Sequence, residues 1–201
     1  MNILEKEYQK VEKGNIIFLN GTSSSGKTTL SKALQSKLVE PFYHISCDVF
    51  DSMAPHKADE VLFSSYLETS VSAMHHAIKL YSDLGINTIV DHVILDLTDK
   101  GDRLLECVNL LHRYPVIFVR VNCPLYELER REKSRGDRFN GLAKWQLENI
   151  HAHNTYDITV NTYENTIEEC SEQIISMLNR IEECNAFTIL KERYEKSFSR
   201  L

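Results

Sequence analysis

Eight consecutive residues, Gly21-Thr22-Ser23-Ser24-Ser25-Gly26-Lys27-Thr28, match the pattern G-x-x-x-x-G-K-[ST] in full. That spacing suits a polyphosphate. Phosphate oxygens need several donors converging from one side. Glycines let the backbone curl so that successive N–H groups point inward. A helix starting near the lysine adds its free N–H groups and the positive end of its dipole. Lys27 is long enough to reach the β- and γ-phosphates of ATP, and the Thr28 hydroxyl can ligate Mg²⁺. Gly21, Ser23, Ser24, Ser25, Gly26, Lys27, Thr28 and Thr29 are therefore the candidate nucleotide contacts. The dinucleotide pattern G-x-G-x-x-G is absent, which excludes an NAD-type fingerprint.

Phosphate binding alone does not define a reaction. The guanine-reading N-K-x-D and the transporter-type L-S-G-G-Q are both missing, and a small kinase remains. A kinase needs an acceptor for the proton of the attacking hydroxyl. Asp48 stands where the second strand should end, beside the loop, and Asp51 follows one helical turn on. Helix N-capping is the competing explanation for either aspartate. Asp91 follows the apolar run Ile86–Val90, the form of an acid that holds Mg²⁺ together with Thr28. His92 comes next and could face the acceptor, although a histidine at a strand end is more often a satisfied polar residue. Asp48, Asp51, Met53 and His92 are the candidate acceptor contacts.

A basic run, Arg130 to Arg138, completes the set. Arginine forks stabilise the charge that spreads over a transferring phosphoryl group. Arg135 and Arg138, next to Gly136 and Gly141, are expected in a lid that excludes water. Arg131 is the candidate adenine-side contact, together with backbone near 161–165. Arg130 and Lys133 fit a solvated helix face.

These residues need a scaffold that gathers them at one edge. Ile16–Leu19, Phe42–Ile45, Ile86–Val90, Val116–Val121 and Tyr156–Val160 read as strands. Helices are predicted over 28–38, 59–84, 102–113, 125–134, 142–153, 166–180 and 186–201. Strands alternating with helices give an α/β fold: a five-stranded parallel sheet flanked by helices, with ligands at the carboxyl ends of the strands. One domain spans 1–201, with an arm at 1–14, a lid region at 125–150 and a helical extension at 179–201. The apolar stripe of 186–201 suits either core or an interface in a homo-oligomer.

Composition narrows the partners. Net charge is −6 and pI about 5.8, so no global nucleic-acid footprint exists. Five cysteines without a C-x-x-C pair suit reduced thiols better than disulfides or zinc. No apolar run approaches the ~18 residues of a membrane span, and the charged N-terminus is not a signal peptide. A cytoplasmic protein is expected.

Several stretches together resemble the chloramphenicol phosphotransferase-like P-loop kinases. They are I-I-F-L-N-G-T-S-S-S-G-K-T at 16–28, E-P-F-Y-H-I-S-C-D-V-F-D-S-M-A-P at 40–55 and I-V-D-H-V at 89–93. E-R-R-E-K-S-R-G-D-R-F-N-G-L-A at 129–143 is the longest, followed by His151 and Y-D-I-T-V-N-T at 156–162. The resemblance implies a nucleoside-monophosphate-kinase-like fold and transfer of the γ-phosphate of ATP to a small-molecule hydroxyl. By the same resemblance Asp48 is the base and Arg135 and Arg138 are lid arginines. The segment between Pro55 and Gly85 is shorter than in the antibiotic-modifying member, so the acceptor stays open. A toxin-type nucleotide-sugar kinase is one alternative. It would need extra cations around 49–75, where only His56, Lys57, His75 and His76 occur. An ATP-binding regulatory module without catalysis is the other.

Overall fold

The computed structural model describes residues 12–55, 60–95, 102–135 and 141–199. Five strands form one parallel sheet: β1 (Ile16–Asn20), β2 (Phe42–Ser46), β3 (Asn87–His92), β4 (Val116–Asn122) and β5 (Ile158–Asn161). Their order is β2-β3-β1-β4-β5. The helices are α1 (Lys27–Lys37), α2 (Cys47–Ser52), α3 (Glu60–Asp83), α4 (Arg103–Leu111), α5 (Leu125–Arg135), α6 (Leu142–Glu148), α7 (Ile167–Leu178) and α8 (Ala186–Phe198).

The central strand explains the two-sided core. All five residues of β1 are buried, because helices cover both faces. Side chains alternate across a strand. Ile16 and Phe18 thus join Met74, Ile78, Val108 and Leu111 on one face, from α3 and α4. Ile17 and Leu19 join Leu30, Leu34, Cys170 and Ile174 on the other, from α1 and α7.

α8 packs on the first face. Phe187 stacks on Phe118 at 4.8 Å and meets Phe18 edge-on at 5.7 Å. Asp157 fastens the helix in place. One carboxylate oxygen accepts from Asn185 N–H and Ala186 N–H at the helix start, and the other accepts from Phe118 N–H in β4. The apolar stripe of the tail is therefore core at Ala186, Phe187 and Leu190. Truncating a buried aromatic removes both transfer energy and packing, so Phe187→Ala should cost ~3–5 kcal/mol. Urea unfolding of the pure variant measures this.

Most predicted elements lie where expected, with three differences near the site. β2 runs directly into α2 with no linker, so Asp48 sits in a helical first turn rather than at a strand end. The helix predicted over 142–153 stops at Glu148. His151 and Asn154 adopt left-handed φ values of 71° and 47°, which no helix continues through. β3 runs on through Asp91 to His92, past the Val90 at which the apolar run ends. By contrast, α3 ends as the sequence indicates: Gly85 takes φ 76°, and Ile86 N–H closes back onto Tyr81 C=O at 2.9 Å. The arm at 1–11 and Asp59, the expected start of α3, fall outside the described residues.

Candidate active site

The loop after β1 is curled as its sequence requires. Ser24 and Gly26 take left-handed φ values of 63° and 96°, which turns successive amides toward one concavity. Gly21 lies beneath the loop. A Cβ there would come within 2.6 Å of Val121 O, so its role is close approach. Leu30 N–H donates to Gly26 C=O at 2.9 Å and closes the first full turn of α1. The amides before it have no intrahelical partner. No acidic side chain occupies that first turn, so the positive end of the helix is not neutralised. Thr162, just past β5, braces the loop by donating from Oγ1 to Ser25 O at 2.7 Å. Ser24 Oγ and Ser25 Oγ are buried without a partner among the described residues, a state that asks for a ligand or water.

Lys27 curls back over the loop. Its Nζ donates to Gly21 O and Thr22 O at 2.9 and 2.8 Å and lies 3.7 Å from Asp91 Oδ1. Thr28 Oγ1 donates to Asp91 Oδ2 at 2.6 Å. Burial opposes the Asp91 charge, but Lys27, His44 and Thr28 outweigh it and hold the carboxyl at about 2. A permanently ionised carboxylate beside a hydroxyl gives two hard oxygen donors for a divalent cation. Among the described residues no three His, Cys, Asp or Glu side chains converge on a metal site.

These groups open into one cavity of about 440 Å³. Its lining includes Ser23, Ser24, Gly26, Lys27, Thr28 and Thr29 on the loop side, with Ser46, Cys47, Asp48 and Asp91 at the ends of β2 and β3. Arg131, Ser134, Gln146, Thr162 and Ile167 close the remaining side. The Arg131 guanidinium is clamped at the loop edge. It donates to Glu127 Oε1 at 2.7 Å, to Thr162 Oγ1 at 3.1 Å and to Thr162 O at 3.0 Å. Arg130 pairs with the same Glu127 but is mostly exposed. Arg135 is the last residue of α5, and Arg138 lies outside the described residues.

The acceptor-side candidates separate in space. Asp48 lines the cavity. Asp51 is not among its lining residues. Its Oδ1 is buried without a hydrogen-bond partner among the described residues, and burial with the nearby Asp48 charge pushes its carboxyl up. Met53 is largely exposed and borders a separate pocket of about 230 Å³, with Phe50, Tyr66 and Ala73. The expectation that His92 faces the acceptor is corrected. Its ring is 1% exposed and sits behind Cys47, whose Sγ lies 2.8 Å from His92 Nδ1.

His92 belongs to a buried chain that sequence reading did not find. Val93 N–H donates to His92 Nδ1, so the ring proton is assigned to Nε2, which meets His75 Nε2 at 3.0 Å. His75 Nδ1 then donates to Glu106 at 2.6 Å, and Ser72 donates to the other oxygen of that carboxylate. Burial, followed by the neighbouring His75 ring, keeps the His92 pKa far below its usual value. Burial, reinforced by Asp51, pushes the Cys47 thiol up to about 12, so it stays protonated beside this chain. The partners come from α2, β3, α3 and α4, and no local spacing announces them.

A second buried histidine gives a pH test. Burial, with Arg120 next, lowers His151 to about 3. Its unfolded value is about 6.5. The unfolded chain therefore binds the extra proton between those values, and stability falls as pH drops below 6.5. At pH 5, His151→Gln should flatten the slope of unfolding free energy against pH by ~1.4 kcal/mol per unit. Urea titrations from pH 7 to pH 4.5 measure that slope independently of any shift in absolute stability.

The sequence profile of the chloramphenicol phosphotransferase-like protein family matches residues 14–179. The chain belongs to this family. A Mycobacterium tuberculosis (strain H37Rv) protein, provisionally named as the O-phosphotransferase Rv2636, is 27% identical over 205 residues, covering 90% of this chain and 89% of its own length. The adenylyl-sulfate kinase of Clostridium acetobutylicum is 25% identical over 183 residues, covering 87% of this chain and 88% of its own. The solved APS kinase CysC of Mycobacterium tuberculosis, in complex with AMPPNP and APS, has a TM-score of 0.62 at 17% identity, over 83% of this chain and 98% of that one. This likeness shows the fold, that of the P-loop kinases. Family membership and fold together make this chain a phosphotransferase of the small-molecule kinase type. Among the described residues no helix is long and apolar enough to cross a membrane.

Proposed function

We propose that the chain transfers the γ-phosphate of ATP to the hydroxyl of a small molecule, with Asp48 as the base. The observation that carries this is the shared cavity: Asp48 lines the same 440 Å³ space as Lys27, Thr28 and the loop. A carboxylate opposite a phosphate cradle has a use in proton acceptance and none in holding phosphate.

The steps follow from the residues. Loop amides and Lys27 hold the β- and γ-phosphates, and Arg131 with Thr162 borders the nucleoside side. Mg²⁺ would be held by Thr28 and Asp91 and would neutralise phosphate charge. Asp48 orients the acceptor hydroxyl and takes its proton as the oxygen attacks the γ-phosphorus and the bond to the ADP oxygen breaks. Arg135 and Arg138 are proposed to close over the donor and exclude water.

A neutral acceptor is favoured over an anionic nucleotide sugar. Ser46, Cys47, Asp48 and Val93 form the side away from the loop, and no cation among the described residues joins them. His75, a residue the alternative would use, is fully buried against Glu106. His76 turns back to Ser72 O, and His56 and Lys57 are outside the described residues. A screen of hydroxylated small molecules for acceptor-dependent ADP release tests the proposal. Release with one neutral class supports it. Release only with phosphorylated acceptors favours the nucleotide-sugar reading, and tight ATP binding with no release across the panel favours a regulatory module.

A further inference from the structure

Gln146 has no part in the mechanism above, yet it reaches the centre of the site. It sits on α6, and its side chain is nine-tenths buried while bordering the cavity. Glu132 holds this helix in position: its carboxylate accepts from Gly141 N–H at 2.8 Å and from Ala143 N–H at 3.0 Å, at the helix start. From there Gln146 Oε1 accepts a 2.6 Å bond from Ser23 N–H, across 123 residues of sequence.

That bond fixes the orientation of the carboxamide. A backbone N–H can only donate, so the atom facing Ser23 must be the amide oxygen. The NH₂ group is then on the other branch. It has no hydrogen-bond acceptor among the described residues, although the side chain is buried at a cavity wall. The amide is anchored through its oxygen at the cavity wall, so its two N–H protons are free to meet a ligand there.

The loop geometry indicates which part of the ligand. Lys27 is the group that reaches the β- and γ-phosphates, and its Nζ is bonded to Thr22 O. Thr22 O and Ser23 N belong to one peptide unit. Lys27 and Gln146 therefore hold opposite edges of the same peptide, at the part of the loop that the proposed reaction sets against the terminal phosphate. The amides at the start of α1 lie further along the loop, at the helix end.

We infer that Gln146 is a catalytic residue: Oε1 is anchored on Ser23 N–H, and Nε2 donates a hydrogen bond to a γ-phosphate oxygen of ATP. This rests on the proposed ATP-dependent reaction. The NH₂ group adds a neutral donor to the phosphoryl group without adding charge, and its bond to the loop pre-orients it. Glutamine suits the position because one end must accept and the other must donate.

The test compares two nucleotides in calorimetric titrations at fixed Mg²⁺: ADP, and a non-hydrolysable imido analogue of ATP. Gln146→Glu keeps an oxygen for Ser23 N–H and replaces the donor by a second oxygen. It should weaken the analogue tenfold or more and leave ADP within about threefold, with kcat falling by a similar or larger factor. Gln146→Ala should show the same asymmetry. Equal loss for both nucleotides would reduce Gln146 to a structural strut, and no change for either would remove its role; each overturns the inference. Wild-type protein that binds neither nucleotide would instead overturn the ATP reading beneath it. Should both variants fail to fold, the side-chain amide NMR signal of Gln146 in the wild type decides: it should shift with the analogue and stay in place with ADP, and identical shifts would overturn the inference.

Discussion

Asp48→Asn should lower kcat on the true acceptor by ~10³-fold while ATP affinity stays within about twofold. The change is nearly isosteric, so α2 and the cavity shape are kept. What disappears is the ability to take a proton, and positioned general bases contribute 10²–10⁴-fold. ATP affinity should hold because the proposal has the phosphates bound from the other wall, which is lined by the loop, Lys27 and the start of α1. Single-turnover rates and equilibrium titration with ATP separate the two quantities. Asp51 supplies the control. It is on the same helix one turn on but outside the cavity lining, so Asp51→Asn should keep most of the turnover.

Lys27→Ala carries the second large effect, and it falls on binding and turnover together. In the proposed reaction Lys27 brings a charge to the phosphates in the ground state, and that charge gains value as negative charge builds on the transferring group. A hydrogen bond to a charged group is worth about 1.5–3 kcal/mol, so ATP should bind about tenfold or more weakly. kcat/KM should fall by ~10³ or more. The same substitution has a signature that needs no substrate. Lys27 is the leading group holding Asp91 at about 2 against burial. Without it the Asp91 carboxyl should titrate upward, because burial would act with one opponent fewer. Carboxyl chemical shifts followed against pH in the nucleotide-free protein report this directly. An Asp91 that still titrates near 2 in the variant would contradict the ion pair.

The candidate donor half of the site is legible in the sequence because it is local. Gly21, Gly26, Lys27 and Thr28 encode backbone curl, helix start and charge within eight residues, and the structure places them as that spacing requires. Asp91 was legible for a similar reason, since an acid closing an apolar run is a linear pattern. Asp48 lies near the end of β2, as expected, but in the first turn of a helix. The run Cys47 to Ser52 is too short to show helical periodicity, so the direct passage from β2 into α2 was invisible. His92 shows the limit more sharply. Its neighbour Asp91 faces the loop, and strand alternation turns the next side chain to the opposite face, where His75 and Glu106 wait. Those partners lie 17 residues before His92 and 14 residues after it, on α3 and α4, where no local pattern announces them. Gln146 was equally silent, because a glutamine inside a helix looks like surface until Ser23 is seen against it. Asp157, part of the motif that carries the family resemblance, turned out to cap α8 and brace β4.

The most direct test of phosphoryl transfer uses ATP labelled with heavy oxygen in its γ-phosphoryl group. The protein is incubated with Mg²⁺, the labelled ATP and a panel of neutral hydroxylated small molecules, and the products are analysed by mass spectrometry beside the Asp48→Asn variant. The expected result is one acceptor class that gains a labelled phosphoryl group with the wild type, in step with ADP, and gains none with the variant. Labelled inorganic phosphate as the sole product, or equal transfer by Asp48→Asn, would contradict the role given to the carboxylate opposite the loop.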